Sequence, residues 1–141
     1  MLKLLKLYQN QKGQAALELA IILPILLLII MFIIYIGIFA FSKSVVLIAA
    51  HEGGREGLQI WNVSSINQEE KEQRMQSAVL RTLTALPGGD GSEVIVDDDE
   101  NGKITIQVTY YFSLNLPFLE EITGYDDVPV RSEVSYRYIR E

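Results

Sequence analysis

Residues 19–41 read LAIILPILLLIIMFIIYIGIFAF, an apolar run without Asp, Glu, Lys, Arg or His. Only Pro24, Tyr35 and Gly37 depart from Ala, Ile, Leu, Met and Phe. As a helix rising ~1.5 Å per residue, the run reaches about 34 Å, more than the ~30 Å hydrocarbon core of a bilayer. It is therefore read as one transmembrane helix. A cleavable secretory signal is the rival reading, but the run exceeds the ~7–15 residues of a signal core and no small-x-small site follows it.

Outward from this run, charge divides the chain. Residues 1–44 carry Lys3, Lys6, Lys12 and Lys43 against Glu18, a net +3, whereas the remainder is −9. Three lysines ahead of the helix predict a cytoplasmic N-terminus and an acidic domain on the far side. A negative domain argues against nucleic acid as a partner, because phosphate binding needs a basic face. The 141 residues leave room for one membrane segment and one small domain. The chain has no cysteine, so disulfides, thiol catalysis and thiolate metal sites are excluded.

Three stretches follow from this pattern: a basic leader over 1–13, a stem helix over 14–60, and an extracytoplasmic acidic domain over 61–141. Past Phe41 the apolar positions thin to Val45, Val46, Ala49, Ala50 and Gly53, one narrow face on a continuing helix that ends near Trp61. A second helix is expected from Ser65, with Ser65 and Gln68 as a capping box and Met75, Val79, Leu80 and Leu83 as its apolar stripe. Pro87-Gly88-Gly89 stops it. The period then becomes two. Val94 and Val96, then Ile104 to Phe112, then Val128 to Tyr138 alternate with polar residues and predict three half-buried strands. Asp98 to Gly102 is a hairpin loop, with Asn101-Gly102 supplying positive φ. The long connection 113–127 is a candidate for surface function. The fold class is α+β: a long N-terminal transmembrane stem, then one amphipathic helix on a three-stranded antiparallel sheet.

Glu18 stands one residue before the apolar run. Two readings of it are open from position alone. A carboxylate at headgroup depth costs little, whereas one drawn into the membrane needs a partner. Gly13, five residues earlier, permits an extended backbone and close approach to it. Gly13 followed by Glu18 behind a lysine leader resembles the processing site of type IV prepilins. Gly13-Gln14-Ala15-Ala16-Leu17-Glu18-Leu19-Ala20, then Leu23-Pro24, and Ala49-Ala50-His51-Glu52-Gly53-Gly54-Arg55, resemble more narrowly the TadE-like pseudopilins of tight-adherence (Flp-type) pilus systems. His51 stands where Arg is more usual in that family.

The resemblance implies a minor pilin-like subunit of the bacterial inner membrane. It implies cleavage between Gly13 and Gln14 by a prepilin peptidase, and Glu18 as the carboxylate that pairs with the amine of a neighbouring processed stem. Its implied partners are other pilins and pseudopilins, the peptidase, the pilus assembly platform and the lipid bilayer. The alternative is an unprocessed, single-pass anchored binding or sensor domain outside the cytoplasm.

Pro24 deletes the helical hydrogen bond to the carbonyl of Ala20, which gives either a harmless kink or a point where the stem adapts. Ala49, Gly53 and Gly57, four apart, form a small-residue stripe for close packing. The chain's own domain is the favoured occupant over a neighbouring stem. Asp97-x-Asp99-x-Asn101-Gly102 opens like a calcium loop, but the closing acid falls on Val108, so a solvated hairpin tip is expected. With one histidine and no phosphate loop or nucleophile–base pair, neither an enzyme, a cofactor nor a metal is expected.

Overall fold

A computed structural model describes residues 2–61, 63, 65–99, 102–113 and 127–137, with side chains from residue 13 onward. The backbone forms two compact units, residues 1–38 and 39–141. The first helix, α1, is Leu2–Ile60 and contains Pro24. It runs through Gly13, so the segment on both sides of the expected processing site is helical. From residue 13 to 38 every side chain is exposed except half-buried Tyr35. An α-helix satisfies its backbone within the segment, which an apolar solvent demands.

In the second unit, α1 keeps a buried stripe at Ser42, Val45, Val46, Ala49, Ala50, Gly53, Gly57 and Ile60. Steps of three and four keep these positions on one helix face. Helix α2 is Gln68–Leu83. Its start corrects the expectation from sequence. The cap is Asn67, not Ser65: the Glu70 N–H donates to Asn67 Oδ1 at 2.7 Å, and Gln68 Nε2 donates forward to Glu72 Oε1 at 3.4 Å. Asn and Ser are about equal as N-caps, and each is followed three residues on by Gln or Glu, so local pattern does not choose between them. Near the start of α2, the Lys71 ammonium donates to the Trp61 carbonyl at 2.6 Å and lies 5.4 Å from the centre of that indole. Met75, Ala78, Val79 and Leu83 are the buried positions of α2. Leu80, expected in the stripe, is half-buried.

Helix α2 ends at Leu83, ahead of Pro87, and a short 3-10 turn at Gly89–Gly91 leads to the sheet. Strands β1 (Glu93–Asp99), β2 (Lys103–Ser113) and β3 (Asp127–Arg137) pair antiparallel in the order β1-β2-β3. Gly102, at φ 79°, closes the β1–β2 hairpin, its N–H donating to the Asp99 carbonyl at 3.0 Å. Asn101, the 114–126 part of the second connection and Tyr138 lie outside the described residues. Ile104, Ile106, Val108, Tyr110 and Phe112 are buried on one face of β2. The other face is largely polar, as an antiparallel sheet with one solvated side should be.

Strand β2 lies along α1 in the opposite direction. The Phe112 ring meets Phe39 edge-on at 5.9 Å, Ile106 approaches Gly53, and Ile104 approaches Gly57. From Phe39 to Gly57 the helix advances about 27 Å. From Phe112 back to Ile104 the strand advances about 26 Å. The two advances match, so one face of β2 runs alongside this helix face over that length. The acidic β1–β2 turn therefore lies at the Gly57 end, and both ends of the β2–β3 connection lie at the Phe39 end.

Candidate functional site: an exposed stem with one carboxylate

Gly13 is exposed, and a Cβ built on it meets no atom within 4 Å. Gln14 and Glu18 stand one helical turn apart on one face. The Gln14 amide donates to Glu18 Oε1 at 3.4 Å, a long bond between two exposed side chains. Beyond them Pro24 and the rest of the run present exposed apolar side chains in all directions, among them Leu28 at 68% and Phe32 at 67%. This helix is apolar and long enough to cross a membrane and fits a single-pass anchor.

The small-residue stripe has different surroundings. Ala49 is fully buried. A Cβ on Gly53 would lie 2.5 Å from Val79 Cγ2 and 3.3 Å from Ile106 Cδ1. A Cβ on Gly57 would lie 2.6 Å from Met75 Sδ. The stripe is thus the seat of α2 and β2 within the chain's own domain. Gly54 meets the ring of Tyr136, whose hydroxyl is 2.6 Å from His51 Nδ1. Lys43, just past the apolar run, donates to the Arg131 carbonyl on β3. Sequence reading had named His51 and Lys43 but not these partners. They lie 85 and 88 residues away along the chain, beyond the reach of any local pattern.

Burial raises the pKa of Tyr110, and the negative charge of Asp127 adds to the shift. Its hydroxyl donates to the Pro87 carbonyl at 2.9 Å. Among the described residues no three His, Asp or Glu side chains are grouped to hold a metal ion. Asp97 and Asp99 fall within strand β1.

Over residues 13–55 the chain matches the family model described as TadE-like protein. This segment is similar to TadE-like proteins. No curated protein and no solved structure matches the chain. The TadE-like match begins at Gly13 and takes in Gln14, Glu18, Pro24, Ala49 and Gly53. It leaves out Gly57 and the sheet, and covers less than half of the chain. TadE-like proteins are associated with Tad pili, a structural role at a membrane, and the matched residues are the exposed apolar helix and the first turns of its buried continuation.

Proposed function

We propose that this protein is a minor pilin-like subunit in the assembly of a tight-adherence (Flp-type) pilus, acting by association of its stem with other pilin stems. The observation that carries this reading is the TadE-like match, which opens at Gly13 and runs through a helix exposed on all sides. Such a surface needs lipid before assembly and neighbouring stems after it. The N-terminus faces the cytoplasm and the sheet domain lies outside, as the leader lysines direct.

In this reading a prepilin peptidase cuts the peptide bond between Gly13 and Gln14. Water supplies the hydroxyl that completes the Gly13 carboxylate, and Gln14 gains a free amine. The bond is helical in the intact chain, so the peptidase must first unwind it. Glycine eases that step, since it weakens a helix by about 1 kcal/mol relative to Ala. Glu18, which among the described residues accepts a long bond from the Gln14 amide, then pairs with the new amine of a neighbouring stem. A charge-assisted bond is shorter and roughly twice as strong as a neutral one, so the carboxylate favours the neighbour.

Co-expression with an active prepilin peptidase and a control pilin tests this. The expected outcome is loss of residues 1–13 by intact mass, blocked by Gly13→Leu. Glu18→Ala should still insert in the membrane and be cut, yet lose co-purification with other pilins. An intact mass at full length beside a processed control removes the processing step. Unchanged co-purification of the Glu18→Ala variant removes the pairing role.

A further inference from the structure

The last residues of the apolar run, Phe39 to Phe41, belong to the same compact unit as the sheet. Two contacts hold one end of the sheet at their level: Phe112 against Phe39, and the Lys43 ammonium on the Arg131 carbonyl. Beside Phe112, on the opposite face, stands Tyr111, which is 47% exposed and pairs across the sheet with exposed Pro129. Arg131 and Lys43 are exposed as well. This end of the sheet therefore gathers an exposed aromatic, a proline and two cations at the height where the apolar run stops.

We propose that this end of the sheet rests on the phospholipid headgroup layer of the bilayer that α1 crosses. Tyr111 would lie in the interface, and Arg131 and Lys43 would face headgroup phosphates. The proposal rests on the membrane-anchor reading of α1 and is independent of pilus assembly.

Three arguments favour lipid over another occupant. First, the apolar run, at about 34 Å, exceeds a ~30 Å hydrocarbon core by roughly the rise of Phe39 to Phe41, which places those residues in the headgroup layer. Second, tyrosine has an apolar ring and a polar tip, and such rings concentrate at membrane interfaces beside long cations that reach the phosphates. A helix tilt of about 20° moves a point ~10 Å from the axis by only about 3 Å, which stays within the headgroup layer. Third, the depth has a stop. Asp127 pairs with Ser113 on the last rung of the sheet, and its carboxylate accepts from Ser113 Oγ at 2.7 Å. A carboxylate is costly in hydrocarbon, so this rung goes no deeper than the headgroup layer.

The chain lacks cysteine, so a single introduced thiol reports one place. Full-length Tyr111→Cys, Asp97→Cys and Phe32→Cys variants, each carrying an environment-sensitive fluorophore, would be reconstituted in phosphatidylethanolamine–phosphatidylglycerol vesicles. Lipids with a nitroxide at the headgroup or at mid-chain serve as quenchers. The expected result is loss of most emission from position 111 with the headgroup quencher. Position 97, near the other end of the sheet, keeps its emission, and position 32 is quenched from mid-chain. A label at 111 as open to aqueous iodide as the label at 97, with position 32 quenched from mid-chain, overturns the proposal and leaves the anchor intact. Failure at 32 overturns both. Emission at 111 that changes with protein density but not with labelled lipid assigns the surface to a second copy instead, which also overturns the proposal. Tyr111→Trp, read by the same lipid quenchers against the lone native Trp61, repeats the measurement without a bulky label.

Discussion

Gly37 and Gly53 both lie inside α1, and a methyl group added to each meets opposite surroundings. At Gly37 it finds nothing within 4 Å; at Gly53 it strikes Val79 and Ile106. One continuous secondary structure thus serves two different solvents. Residues 13–38 are exposed apart from half-buried Tyr35, and their apolar length fits a membrane anchor. From Ser42 onward the helix is half core, seated under α2 and β2. Small residues therefore carry different meanings along one helix: Gly37 is tolerated, whereas Gly53 and Gly57 are the space that α2 and β2 fill.

Core truncation should break this comparison most sharply. Ile106 is fully buried, and Ile106→Ala should cost the domain about 2–5 kcal/mol. Leu28 is 68% exposed, and Leu28→Ala should leave domain stability unchanged. Urea unfolding of the full chain in detergent, followed by Trp61 fluorescence, measures both, because this single tryptophan is buried at 7% exposure. Equal losses at the two positions would mean that the two stretches do not differ as described.

The glycine pair gives the next largest effect. Gly53→Ala must displace Val79, a buried β-branched side chain with little rotamer freedom. Overpacking of this kind costs about 1–3 kcal/mol. Gly37→Ala should cost nothing in the same unfolding measurement. Ala favours a helix by about 1 kcal/mol over Gly, so a Gly53→Ala variant stabilised by about that amount would show that Val79 gives way without loss.

The smallest effect concerns Tyr110. Tyr110→Phe removes the bond to the Pro87 carbonyl, worth about 0.5–1.5 kcal/mol. The raised pKa of this phenol also sets a pH dependence. The folded state holds the proton more tightly than the unfolded one, so this stability is present below the ordinary tyrosine pKa of about 10 and is lost as pH rises above it. Stability curves at rising alkaline pH should fall less steeply for Tyr110→Phe than for the parent. Parallel curves would remove Tyr110 as a source of the alkaline loss.

Much of this was legible in the sequence because the signals are local. The apolar run, the switch from a helical to a two-residue period, and Gly102 in the hairpin turn each depend on a few adjacent residues, and the structure has each where the pattern put it. The start of α2 was legible only to within two residues. Ser65 and Asn67 are equivalent as caps, and the contact of Lys71 with Trp61 lies outside either capping pattern. The TadE-like segment was legible in the spacing of Gly13, Glu18 and Pro24 and in the Ala49–Arg55 stretch. Nothing in it pointed to the partner of His51 or Lys43.

By itself the sequence determined the membrane-length helix, the order of the elements and the face that each strand buries. These follow from periodicity and from the length of a bilayer, both readable along the chain. The tertiary structure alone decided that β2 returns along α1 to the end of the apolar run. It also decided that Val79, Met75, Ile104 and Ile106 fill the small-residue stripe, and that Tyr111 stands exposed at the Phe39 end of the sheet. Contacts between residues far apart in sequence depend on shape and on the direction of each strand. No local pattern encodes them.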